Sequence, residues 1–254
     1  MIVKTESLWL WLGIGALALV AFSGGMAAAT YEIFPYEQVR ALKNAIDGDD
    51  GSRDPTEYID NPKAVEVGAS DPQWNTRARN VIIGDSLTAN ARLEEMFPQA
   101  SIANRGVGGD TIQGALDRLP GILELRPQRA FIFIGHNDIL VDNPVDEIFA
   151  RFEALVDNLQ AAEVEPVVQS VLICGENPAC TPRKRRNARE LNQRLAEMAQ
   201  AKDIPFIDLN QVMADEDGLK PEMTWDGIHL AAKGNKTWRD AMAPYVIEGP
   251  ADDD

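Results

Sequence analysis

The sequence predicts an α/β fold with a parallel sheet and helices on both of its faces. Five short apolar runs, at Asn80–Asp85, Ser101–Asn104, Ala130–Ile134, Pro166–Ile173 and Pro205–Leu209, alternate with helical patterns at Ala89–Met96, Thr111–Leu123, Val145–Glu163 and Arg183–Lys202. Right-handed crossovers between parallel strands then place helices above and below the sheet. The first run, Val81, Ile82 and Ile83, is continuous rather than alternating, as a strand covered on both faces requires. Gly84 supplies a sharp exit from it, and Ser86 or Thr88 can begin a helix.

Bulk properties set the limits of the reading. The chain has 254 residues, 45% hydrophobic and 25% charged, enough for one substantial core plus extensions. Its net charge of −16 argues against a nucleic-acid partner, because phosphate binding needs a basic surface. The same charge also reads as a solubility adaptation. Oligomeric state leaves no trace in the sequence.

Ahead of the alternating region lies a different kind of segment. No charged residue occurs from Leu8 to Ala29, and "LWLWLGIGALALVAF" with the small residues after it is apolar enough to reach across a bilayer. "AAA" at Ala27 to Ala29 offers a signal-peptidase site, but the preceding region carries only Lys4 and the apolar stretch is long for a signal. The reading favours an uncleaved transmembrane anchor over a cleaved signal helix; a buried core helix fits poorly, since the segment has no polar face. Either fate exports the remainder, leaving the domain outside the cytoplasm, membrane-tethered or else secreted or periplasmic. Residues 1–30 are thus expected to be the anchor or signal. Residues 31–76 read as a juxtamembrane helix, with Val39, Leu42 and Ile46 near helical spacing, followed by a linker containing "DGDDGSRDP". The alternating α/β domain is expected over 77–248 and an acidic tail over 249–254.

Chemistry-bearing residues collect where the apolar runs end. "GDSL" follows the first, "NRGVGGDT" the second and "GHND" the third, while "DGIHL" stands near the C-terminus. Strand exits are where open α/β sheets bind ligands. A serine hydroxyl is a poor nucleophile until a base takes its proton, and a histidine does so when a carboxylate holds its other ring nitrogen. Asp226 and His229 are close enough for one tight turn to bring them together. A tetrahedral oxyanion needs preorganised donors, which a glycine-rich turn, the start of a helix at Thr111 and an asparagine side chain can offer.

Taken in this order, the blocks closely resemble the SGNH (GDSL-type) hydrolase family over roughly Asn80 to Val246. The resemblance implies a flavodoxin-like three-layer α/β/α sandwich with about five parallel strands. It implies that Ser86, in Gly84-Asp85-Ser86-Leu87, is the nucleophile and that its backbone N–H is one oxyanion donor. By the same resemblance the Gly109 N–H and the Asn137 side-chain amide are the second and third donors, Asp226 is the orienting acid and His229 the general base. No cofactor or metal is implied.

Each residue also has a plainer reading. Ser86 alone suits an N-cap, His229 a surface residue and Asp226 a turn former. Gly106, Gly108 and Gly109 suggest a phosphate loop, but Thr111 stands where a dinucleotide fingerprint wants its third glycine. His136, the other of the two histidines, occupies the variable position of "GHND" and reads as pocket lining. Asp85 and Asp110 are expected to brace loops. The histidines and the two cysteines lack metal-ligand spacing. Cys174 and Cys180 bracket "GENPA", and export would let them form a disulfide that stiffens one wall of the active-site mouth. "RKRR" at Arg183 to Arg186 reads as a solvated helix start, with contact to an anionic substrate as an alternative.

The expected function is ester hydrolysis through an acyl-enzyme on Ser86, removing small acyl groups such as acetyl from carbohydrate or similar esters. Lysophospholipase or thioesterase activity is the nearest rival. An acyltransferase would use the same residues, and a non-catalytic glycan-binding domain is the remaining alternative.

Overall fold

The computed structural model describes residues 77–251. The expected anchor or signal (1–30), the juxtamembrane helix and linker (31–76) and the last part of the acidic tail lie outside the described residues. Among the described residues no helix is long and apolar enough to cross a membrane.

The sheet is built from β1 (Asn80–Gly84), β2 (Ile102–Gly106), β3 (Arg129–Phe133), β4 (Glu165–Gln169) and β5 (Phe206–Ile207). Its order is β2-β1-β3-β4-β5 and every neighbouring pair is parallel. This order reverses direction between β1 and β3, the switch point at which flavodoxin-like sheets open a crevice. Alternation along the strands explains the three layers. Val81 and Ile83 of β1 join Ala130 and Ile132 of β3 against one set of helices, α3 (Ile112–Asp117), α4 (Leu119–Leu123), α6 (Val145–Ala161) and α7 (Pro182–Lys202). Ile82, Phe131 and Phe133 face the other way. They pack with Leu87 of α1 (Ser86–Ala89), Leu93 of α2 (Leu93–Met96), Met213 of α8 (Asn210–Met213) and Trp238 of α9 (Ala232–Met242). Trp238 is fully buried because its indole N–H donates to Gln169 Oε1 at 2.6 Å and its ring meets Phe133.

Several boundaries differ from the sequence reading. The pattern read as Ala89–Met96 is two short helices, and the first begins at Ser86 itself because Asp85 caps it, its Oδ1 accepting from Leu87 N–H at 2.9 Å. Asn104 Nδ2 takes the carbonyls of Thr88 and Ala91, which satisfies the backbone where α1 stops. Thr111–Leu123 likewise divides at Arg118, with Pro120 in the first turn of α4. The fourth run leaves the sheet at Gln169 rather than Ile173. Beyond it, Asn192 brackets Val171, accepting from its N–H and donating to its carbonyl, both at 2.8 Å, and Asn210 Oδ1 accepts from Ile173 N–H at 2.9 Å. Side-chain amides thus do there what a neighbouring strand would do. Other elements had no counterpart in the sequence reading, among them α5 (His136–Leu140), α8 and the small hairpin of β6 (Ala214–Asp215) and β7 (Gly218–Leu219).

Candidate active site

The exit from β1 is shaped by a glycine with no room for a side chain. A Cβ on Gly84 would stand 2.7 Å from the Phe133 carbonyl and closer still to the Thr88 side chain. The chain therefore turns directly into Asp85 and then Ser86, the first residue of α1. Ser86 Oγ lies 3.0 Å from His229 Nε2, and His229 Nδ1 lies 2.7 Å from Asp226 Oδ2.

The Asp226–His229 turn holds itself in shape. Asp226 Oδ1 accepts from the backbone N–H groups of His229 at 2.7 Å and Ile228 at 2.9 Å. Thr224 Oγ1 accepts from Gly227 N–H at 2.9 Å and donates to the His229 carbonyl at 2.7 Å. Burial works against ionisation of Asp226, but the hydrogen bonds from the His229 ring and from the two backbone N–H groups outweigh it, leaving the carboxyl below its ordinary range. An ionised Asp226 beside the ring assigns the proton to Nδ1 and leaves Nε2 as the lone pair facing Ser86. The arrangement can lower the barrier to removing the serine proton.

The loops after β2 and β3 are laced together beside it. Gly109 adopts a left-handed φ of 78°, and Gly135, which precedes α5, one of 113°. Asn137 Nδ2 donates to the Asp110 carbonyl at 2.8 Å, and an amide nitrogen carries a second proton for another acceptor. Asp138 Oδ2 accepts from Ile112 N–H at 3.1 Å while its other oxygen accepts from Asn143 Nδ2. Thr111, the N-cap of α3, accepts from Gly114 N–H.

Below these loops sits a layer of buried charge. Asp110 Oδ2 pairs with Arg118 Nε at 2.9 Å, the two side chains being 0% and 2% exposed, and Arg118 Nη2 donates to the Gly84 carbonyl at 3.3 Å. Burial pushes the Asp85 carboxyl up to about 7 and that of Asp138 to about 6, and Asp110 is raised as well. Asp85 and Asp110 are therefore braces, as expected, and Asp138 and Arg118 belong with them. His136 is 4% exposed, with Nδ1 at 3.2 Å from the Leu172 carbonyl, and burial lowers it to about 4. It is a neutral buried brace, which corrects its reading as a pocket-lining residue.

Cys174 and Cys180 are joined by a disulfide. The loop that it closes touches the catalytic turn: Gly175 N–H donates to the Gly227 carbonyl at 2.7 Å and Asn177 Nδ2 to the Asp226 carbonyl at 2.8 Å. The basic run is more than a solvated helix start. Arg185 donates to the carbonyls of Cys174 at 2.9 Å and Gly175 at 2.6 Å, Lys184 donates to the Leu140 carbonyl, and Arg183 pairs with Asp142. Beside Asp226 stands Trp225, 69% exposed, with its indole stacked on the His229 ring at a centroid distance of 5.5 Å and an interplanar angle of 17°.

The structure thus brings Ser86, Asp226 and His229 into one chain of contacts and sets Asn137 and Gly109 on adjoining loops. The sequence reading missed four residues around them. Asp138 and Trp225 each adjoin a motif residue, and that adjacency was the available signal. Arg118 and Asn177 act across long sequence separations and carry no local signal. Among the described residues no cluster of three His, Cys, Asp or Glu side chains is placed to hold a metal ion. A cavity of about 520 Å³ lined by Arg129, Glu165, Lys202 and Pro205 lies at the opposite ends of the strands from Ser86.

Known proteins are similar to this chain. Residues 82–237 match the model of the GDSL-like Lipase/Acylhydrolase family. N-acylneuraminate cytidylyltransferase of Streptococcus agalactiae is 28% identical over 175 residues, covering 69% of this chain and 40% of that protein, so the match spans less than half of that relative's length. Platelet-activating factor acetylhydrolase IB subunit alpha2 of Rattus norvegicus is 25% identical over 195 residues, covering 68% of this chain and 83% of that one. A GDSL-like lipase from Bacteroides thetaiotaomicron shares the fold with a TM-score of 0.66 and 22% identity, covering 74% of this chain and 97% of that chain.

Proposed function

Because the chain belongs to the GDSL-like lipase/acylhydrolase family and is an SGNH-type ester hydrolase, we propose that it removes small acyl groups, acetyl first among them, from carbohydrate esters through an acyl-enzyme on Ser86. His229 Nε2 takes the Ser86 proton as Oγ attacks the ester carbonyl, and Asp226 stabilises the imidazolium that forms. The oxyanion is met by the N–H groups of Ser86 and Gly109 and by the Asn137 amide. The tetrahedral intermediate collapses as His229 returns the proton to the leaving alcohol. Water, deprotonated by the same ring, then attacks the acyl-enzyme and frees the acid.

The observation that carries the carbohydrate reading is Trp225. An exposed indole is an unfavourable surface unless something covers it, and here it is stacked on the ring of the base. Its electron-rich face suits the weakly positive C–H face of a sugar ring. A long acyl chain would need an extended apolar wall, whereas among the described residues the exposed large hydrophobic side chains are Val212 and Trp225. The name of the rat relative, an acetylhydrolase, supports the short acyl group.

Hydrolysis of acetylated oligosaccharides, compared with p-nitrophenyl esters of graded chain length, tests this reading. Acetyl esters should be hydrolysed best, and Trp225→Ala should raise KM for the acetylated sugar several-fold while leaving methyl acetate unaffected. A preference for long acyl chains would overturn the reading. We also place the enzyme outside the cytoplasm, tethered by residues 1–30, on the strength of the uncharged run from Leu8 to Ala29. The Cys174–Cys180 bridge suits an oxidising compartment.

A further inference from the structure

A short loop holds the backbone of the catalytic turn from outside. Asn177 Nδ2 donates to the carbonyl of Asp226 and Gly175 N–H to that of Gly227, so consecutive backbone carbonyls of the turn end on the same loop. The fit is close: Gly227 adopts a φ of 84°, and a Cβ added there would collide with the Glu176 carbonyl and come within 3.0 Å of the Asn177 Cβ. Asn177 is itself fixed by the far end of the loop, its Oδ1 accepting from Ala179 N–H and its carbonyl from Cys180 N–H, at 2.8 and 2.9 Å. Arg185 anchors the near end through the carbonyls of Cys174 and Gly175. The disulfide joins the two ends.

We propose that the Cys174–Cys180 loop is the positioning element of the acid–base pair, that Asn177 is the residue through which it acts, and that the oxidised bridge therefore sets the turnover rate. The proposal rests on the reading of Asp226 and His229 as the catalytic pair. With the bridge open, Arg185 still holds the Cys174 end and α7 begins just past Cys180, but the span between them that carries Asn177 loses the cross-link between its ends. The Asp226 carbonyl then loses a donor, and the carboxylate that orients His229 moves with its backbone. Opening needs a dithiol reductant. One of its thiolates attacks a bridge sulfur, its second thiolate closes the reductant's own disulfide, and Cys174 and Cys180 leave as thiols with the two protons.

The test uses the full chain and p-nitrophenyl acetate, whose hydrolysis by the untreated protein checks the esterase reading separately. Dithiothreitol should lower kcat roughly tenfold with KM little changed, a fraction of the about hundredfold that a misplacement of order 1 Å costs. Reoxidation should restore it. Asn177→Asp keeps the acceptor for Ala179 N–H but loses the donor to Asp226; it should lower kcat to a similar extent and remove most of the response to dithiothreitol. Asn177→Ala should behave alike. Wild-type kcat in Asn177→Asp would overturn the proposal by leaving Asn177 only a loop brace. So would unchanged kcat once both thiols titrate, or a loss of kcat that merely tracks the folded fraction seen by circular dichroism.

Discussion

Ser86 Oγ and His229 Nε2 stand 3.0 Å apart although 143 positions separate them in the chain. The contact exists because the β1 exit and the turn before α9 meet at the C-terminal ends of the strands. It also makes the hydroxyl sensitive to anything that moves either element.

The oxyanion donors give the next expectation. Asn137→Ala should reduce kcat by roughly 10²–10³ with a much smaller change in KM, since the amide acts on charge that develops after binding. The Asn137 bond to the Asp110 carbonyl is lost as well. Steady-state kinetics with a thermal melt separate the two effects, and an unchanged kcat would remove Asn137 from the oxyanion site.

Arg118 is expected to matter for folding more than any surface cation. Its partner Asp110 is fully buried, so Arg118→Ala strands a carboxylate, and the Gly84 carbonyl keeps only Val107 N–H of its two donors. Urea titration should show a loss of about 3–5 kcal/mol. Lys202→Ala, which breaks an exposed pair with Asp157, should cost at most about 1 kcal/mol.

The buried carboxyls predict an inverted pH dependence. Asp85 and Asp138 are raised to about 7 and about 6, so between about pH 4 and 7 the folded chain holds protons that the unfolded chain has released. Their contribution to stability is complete below about pH 4 and is lost as pH rises through 6 and 7. Asp85→Asn keeps the cap on Leu87 and should flatten this part of the curve, removing a slope worth on the order of a few kcal/mol. Denaturant titrations at pH 5 and pH 8 check it, and an identical slope in the variant would contradict it.

The uncharged run from Leu8 to Ala29 predicts that the full chain stays in the membrane fraction after a high-salt wash, with its C-terminal domain open to externally added protease. A soluble mature protein beginning at Thr30 would remove the anchor and keep export.

The fold class was legible because its signals are local. Val81 to Ile83 is a continuous β-branched run, and each later strand has its own apolar stretch at the expected spacing. The motif residues were legible for the same reason, since Asp226 and His229 share one turn and Ser86 lies two residues past the end of a strand. What stayed hidden depends on distant partners. Asn192 and Asn210 complete the backbone of Val171 and Ile173 from other elements, so the fourth strand ends earlier than its apolar run. Arg118 looks like a surface arginine until Asp110 is placed beside it, and Arg185 like one of four solvated cations until the disulfide loop folds back on it. Periodicity records which face of an element is apolar and not which polar group will be waiting there.

Every step proposed for this site depends on the hydroxyl of Ser86, activated by His229, being the nucleophile. The most direct measurement is covalent labelling of the purified protein by a fluorophosphonate probe, read by intact mass and peptide mapping. One adduct per chain is expected, on Ser86, absent in Ser86→Ala and formed at least about a hundredfold more slowly in a folded His229→Ala. An adduct on another residue, or a His229→Ala variant labelled at the wild-type rate, would contradict it.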